Sequence, residues 1–205
     1  MIIKKWSILL ILFFLSACLA PINKNMDGGF LSQKPCGPPC FHGVTPQITT
    51  QAELLDSINK SESIFYGCKY MDLSSSGGVK GITCDYIDIR IKFTNNIVEN
   101  VRFIPSDKIT SQTVINKYGS PDSVHVYTFK SEHSPNEVDL YFCYDKLFTS
   151  IAFEKQSGKK YSIDPNTIVY VIFYEDKDSY KDICGDRGKN FYQWDGYGDY
   201  PSFPP

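Results

Sequence analysis

The sequence predicts an α+β protein built as two tandem units, each a short helix (or helix-turn-helix) plus an antiparallel sheet. Three observations lead there. Ile48-Thr49-Thr50-Gln51 returns as Ile109-Thr110-Ser111-Gln112, after 109 − 48 = 61 residues. Each copy opens a stretch with apolar residues at helical spacing. Each helical stretch is followed by segments that alternate apolar and polar residues, as half-buried strands do.

The first helix begins at a capping box, with Thr50 at the N-cap and Glu53 three residues on. Ala52, Leu55 and Ile58 then recur on one face, with Leu54 beside them. In the second helix Ser111 is placed to cap, and Val114, Ile115 and Tyr118 form the apolar stripe. Gly119 stands where a helix end favours positive φ, and Pro121 forbids continuation. Helices this short are marginal alone and must pack on something.

The strands supply that surface. Ile87, Ile89, Ile91 and Phe93 alternate with Asp88, Arg90 and Lys92. Asn95-Asn96 can take the positive φ of a tight hairpin, and the chain returns through residues 97–104. The second unit repeats the plan. Residues 124–129 form a strand, and Val138, Leu140, Phe142 and Tyr144 line one face of the next. Asp145-Lys146 turns, residues 147–153 return, and residues 168–174 are rich in β-branched and aromatic side chains. Residues 62–86 hold two weaker strands around a loop at 74–78, which Cys68 and Cys84 flank and could staple.

Ahead of this body lies a processing signal. Lys4 and Lys5 precede an apolar stretch that ends in Leu15-Ser16-Ala17-Cys18, which looks like a bacterial lipobox. The apolar stretch is shorter than the about 20 residues of a comfortable membrane span. It implies a signal peptide at 1–17, cleavage before Cys18, and a lipid on that cysteine. The expected address is the cell envelope, anchored by lipid and facing the periplasm or the outside. Residues 18–35 show no apolar period and read as a flexible tether. The first unit then spans 36–105, the second 106–190, and an aromatic tail 191–205.

Loss of Lys4 and Lys5 takes the net charge from −2 to −4. A mildly acidic body with no basic stripe is a poor match for nucleic acid. Membrane contact is therefore expected through the lipid.

Seven cysteines are present, and assigning Cys18 to lipid leaves Cys36, Cys40, Cys68, Cys84, Cys143 and Cys184. An even number in an oxidising compartment suggests three disulfides, of unassigned connectivity. The alternative is a thiol-redox or metal site at Cys36, Cys40 and His42. A redox pair, however, wants two residues between the cysteines, and zinc sites show a second ligand pair. His125 falls in a strand and His133 in a polar loop, with no matching nucleophile. The chain is therefore read as non-enzymatic and without a cofactor. The acidic residues at 175–178 and 182–186 lack the calcium-loop order and read as solvated loop.

The tail crowds Phe191, Tyr192, Trp194, Tyr197, Tyr200 and Phe203 together. Trp194 is expected to pack on the second unit. Tyr197 and Tyr200 are expected nearer the surface, as a contact for an envelope protein or glycan.

Residues 110–122, with Val114, Tyr118-Gly119 and Pro121-Asp122, resemble the helical turn of the SmpA/BamE-type outer-membrane assembly lipoproteins. Two such units in tandem look like the β-lactamase-inhibitor-protein fold. Cys40-Phe41-x-Gly43 and Lys117-Tyr118-Gly119-Ser120-Pro121-Asp122 resemble uncharacterised exported lipoproteins of Chloroflexi-like bacteria. The resemblance implies an envelope location and a tandem fold and brings no activity. The expected role is a binding or assembly module.

Overall fold

Alternation of apolar and polar residues drives ten of the strands among the described residues into one antiparallel sheet. The computed structural model describes Asp27 and residues 29–60, 63–73, 79–84, 88–130, 135–185 and 190–202. Cys18, the 74–78 loop, His133 and Phe203 lie outside the described residues.

The capping box forms as expected and starts α1 (Gln51–Ile58): Thr50 accepts from the Glu53 amide, and Glu53 accepts from the Thr50 amide. A meander follows: β1 (Lys69–Leu73), β2 (Val79–Cys84), β3 (Ile89–Thr94) and β4 (Ile97–Phe103). Asn95 and Asn96 turn the β3–β4 hairpin at φ 53° and 63°. Next comes α2 (Ser111–Tyr118). Its N-cap is Thr110, not Ser111. Ser111 sits one residue inside the helix, fully buried, and donates to the Asp164 carbonyl at 2.5 Å. Gly119 ends α2 at φ 80°.

β5 (Ser123–Lys130), β6 (Pro135–Tyr144) and β7 (Thr149–Phe153) form a second meander. A short 3₁₀ turn, Asp145–Leu147, and Phe148 at φ 42° delay the start of β7 to Thr149. β8 (Gln156–Ser157) pairs with β6, β9 (Lys160–Ile163) stands apart from the large sheet, and β10 (Val169–Glu175) rejoins it against β7. The strand order is β1-β2-β3-β4-β10-β7-β6-β5-β11, where β11 is Phe191–Tyr192. The boundary expected near residue 105 therefore does not cut the sheet. β4 and β10 pair directly, Phe103 opposite Ile172 and Val101 opposite Tyr174. Both N-caps touch the sheet near this junction, Thr50 bridging Ile97 and Thr110 bridging Ile168.

One hydrophobic core lies on the face covered by α1 and α2, and it takes in Leu54, Ile91, Val101, Val114, Phe142 and Ile172. The opposite face is covered over β5, β7 and β10 by a helix not expected from the sequence, α3 (Lys177–Cys184). Asp176 caps it by accepting from the amides of Asp178 and Ser179. The acidic stretch at 175–178 is thus not a solvated loop, because Glu175 ends β10 buried and Asp176 starts a helix.

The tether at 18–35 is also corrected over its second half. Phe30 is fully buried in the main core, its ring 4.8 Å from that of Tyr118. Asp27 is buried and accepts from the amides of Gly29, Leu31 and Ser32. The aromatic ring gains more from burial than the ordering of a few polar neighbours costs.

Candidate functional site

Pairing of the cysteines comes first, because it decides which sulfurs are open to chemistry. Among the described residues every cysteine sits at disulfide distance from another: Cys36–Cys40, Cys68–Cys84 and Cys143–Cys184, with Cα separations of 5.7, 4.5 and 5.8 Å. Cys68–Cys84 closes the β1–β2 hairpin, as its flanking position suggested. Cys143–Cys184 fastens α3 to β6.

His42 lies two residues beyond Cys40. Burial holds its imidazole below the ordinary pKa, partly offset by the Asp27 charge. Its Nε2 is enclosed and has no hydrogen-bond partner. It lines an open cavity of about 730 Å³ with Val44, Glu53, Asp56, Lys60 and Phe65. Of these, Glu53 is committed to the capping box and Asp56 to an ion pair with Lys60. No three His, Cys, Asp or Glu side chains converge on a common point among the described residues. No helix there is long and apolar enough to cross a membrane.

The tail builds the second concavity. β11 continues the sheet beside β5, and β12 (Gly198–Pro201) pairs with β9. Between them the chain bulges outward and encloses about 660 Å³, lined by Gln193, Trp194, Asp195, Tyr197 and Asp199. Trp194 sets its edge against Phe142 of the core at 4.9 Å, on the second half of the sheet. Its ring stacks on Tyr200 at 6.1 Å and 11°, and meets Tyr197 edge-on at 5.5 Å. Tyr197 is 36% exposed and donates to Gln112 of α2.

Tyr200 departs from expectation. It is only 6% exposed, its hydroxyl donating to the Gly196 carbonyl and accepting from the Asp195 amide. Alternation along β12 turns it inward, so it shapes the loop instead of presenting a ring to a partner. That inward turn was legible in the Tyr200-Pro201 register only once β9 was known as the partner strand.

A further buried acid is Asp139 on β6, opposite Tyr127. Burial raises its carboxyl pKa, opposed by Lys155. Sequence reasoning missed it, and only its place on the polar face of β6 could have marked it.

Compared with protein families, curated proteins and solved structures, the chain matches none of them.

Proposed function

We propose that this is an exported bacterial envelope protein, anchored by lipid on Cys18, whose body binds a partner and carries out no catalysis. The observation that supports the reading best is the cysteine pairing. Three pairs account for all six cysteines among the described residues, so the seventh, Cys18, is not needed for an internal pairing and is left for the proposed thioether-linked lipid. Disulfides of this density belong to oxidising compartments.

The body is read as two copies of helix plus meander, joined edge to edge through β4 and β10. The Thr50–Ile97 and Thr110–Ile168 bridges support this, because each copy ties its helix cap to the start of its last strand. The contact surface is the aromatic loop around Trp194 and Tyr197, with an envelope protein or glycan as partner. A rigid aromatic platform offers large contact area at small entropic cost.

Cys18→Ser should abolish palmitate labelling and free the protein from the membrane fraction. Retained label and retained membrane association would reject the anchor. Tyr197→Ser should leave the melting temperature within about 1 °C, since the ring is exposed, yet weaken partner capture by cross-linking. Unchanged capture would move the contact elsewhere.

A further inference from the structure

The three disulfides differ in how they meet solvent. Cys68, Cys84, Cys143 and Cys184 are buried, none more than 8% exposed. Cys36 and Cys40 are each partly exposed, and Gln33, Lys34 and Pro35 ahead of them lie on the surface. The links also differ in what they hold. Cys143–Cys184 fastens α3 to β6 across 41 residues, and Cys68–Cys84 closes a hairpin across 16. Cys36–Cys40 spans only four and ties a surface loop to itself. A link over so short a stretch removes little freedom from the unfolded chain, so it stabilises the fold least.

The chain beside that link is arranged to favour charge on one sulfur. Phe41 and Val44 bond each other through both their amides, at 2.8 Å. His42 and Gly43 lie between them at φ 47° and 87°, the backbone of a tight turn with two left-handed residues. The turn engages the amides of Phe41 and Val44 and leaves that of Gly43 for another acceptor. The Gly43 amide donates to Cys36 Sγ at 3.3 Å. Phe41 and Val44 are both buried in the main core, which holds the turn and its donor in place. An N–H aimed at a sulfur favours the thiolate over the thiol, and a thiol of lower pKa leaves faster. Cys40 Sγ has no such donor among the described residues.

We propose that Cys36–Cys40 is a thiol-exchange site that takes a dithiol as substrate, with Cys40 as the sulfur attacked and Cys36 as the sulfur that leaves. One thiolate of the dithiol bonds to Cys40 Sγ. The Cys36–Cys40 bond breaks, and its electron pair goes to Cys36 beneath the Gly43 amide. The second thiolate of the dithiol then bonds to the first sulfur and expels Cys40. The dithiol ends as a disulfide, and Cys36 and Cys40 end as thiols, with two electrons and two protons gained. Spacing alone counts against such a pair, because three residues separate the cysteines instead of two. Here the His42-Gly43 turn supplies an amide of the kind that a helix N-terminus offers elsewhere. The exchange is stoichiometric, and it rests on neither the lipid anchor nor the Trp194 loop.

The test treats the full chain, its disulfides closed, with dithiothreitol, and traps thiols with N-ethylmaleimide for peptide mass mapping. Cys36 and Cys40 should be alkylated at least about tenfold faster than Cys68, Cys84, Cys143 and Cys184, which burial shields. Equal rates, or another pair opening first, would overturn the site. With glutathione in place of dithiothreitol, and the reaction stopped early, the mixed disulfide should form on Cys40 and the maleimide on Cys36, several-fold over the reverse. An even split, or glutathione on Cys36, would reject the assigned roles and leave mere solvent access as the cause of any fast opening. While only this pair is open, the far-ultraviolet dichroism of the sheet should persist. Its loss would show a structural brace and reject an exchange site.

Discussion

Two glutamates sit on neighbouring strands at the β4–β10 junction, and their carboxyls are shifted in opposite directions. Glu99, on β4, is bonded by Lys92 at 2.6 Å, Thr94 and Ser179. Its partial burial would raise its pKa, but those bonds and the Lys92 charge win and hold the carboxyl below its ordinary value. Glu175, on β10, is 3% exposed. Burial pushes it up to about 8, with Ser150 as its hydrogen-bond donor and Asp176, Asp182 and Glu99 adding repulsion. What separates them is the company each keeps. Glu99 has three hydrogen-bond donors, the Lys92 ammonium among them, whereas Glu175 lies deeper beneath α3 with Ser150 as donor and carboxylates as its charged neighbours. One helix turns a charged sheet face into a low-dielectric interior where a carboxyl stays protonated.

Removing the fastening of that helix should have the largest effect. Replacing Cys143 and Cys184 together by Ser frees a link across 41 residues, which loop entropy values at about 4 kcal/mol. The melting temperature should fall steeply, and the near-ultraviolet dichroism around Tyr180 should fade. A small loss would mean that α3 holds itself in place.

Glu175→Gln comes next. The folded pKa of about 8 lies above the ordinary 4.5. Its favourable contribution is thus complete below about pH 4.5 and is lost as pH rises through 8. Wild-type stability should decline across that window, with a limiting slope of about 1.4 kcal/mol per pH unit. The glutamine variant should match wild type at pH 4.5, exceed it by a few kcal/mol at pH 9, and lack the slope. Parallel curves would show that water reaches Glu175 beneath α3.

Tyr180→Phe should cost about 1 kcal/mol, because its hydroxyl bonds Asp145 at 2.7 Å from a buried ring. Lys92→Ala should cost less than about 1 kcal/mol and more at low salt than at high. Glu99 has the opposite sign to Glu175: its stabilisation is present above the ordinary pKa and is lost as pH falls. The Lys92→Ala variant should therefore lose its disadvantage in acid, and denaturant titrations at two pH values would read both.

The sheet was legible wherever a local pattern carries the burial. Ile89, Ile91 and Phe93 alternate because one face of β3 is wet, and Asn95-Asn96 marks its turn. The Thr50–Glu53 box is a purely local bond pair, so it survives in sequence. Phe30 was missed because one ring among Gly, Ser and Pro has no period, and its burial depends on Tyr118, eighty-eight residues away. α3 was missed because its exposed face is wholly charged, with Lys177, Asp178, Lys181 and Asp182, and only two of its residues are buried. Tyr180 and Cys184, four apart behind an Asp cap, were the available signal. Of the tail, Trp194 was placed by its size. Tyr197 and Tyr200 differ only through the pairing of β12, which no local pattern records.

The burial of Asp27 and Phe30 also sets a length. For a chain anchored at Cys18, as proposed, 27 − 18 = 9 peptide units lead to Asp27, the first buried residue among those described, a span of about 30 Å at most. On the proposed anchor, the burial of Phe30 and Phe41 would thus keep the Trp194 loop within a short reach of the membrane that carries it.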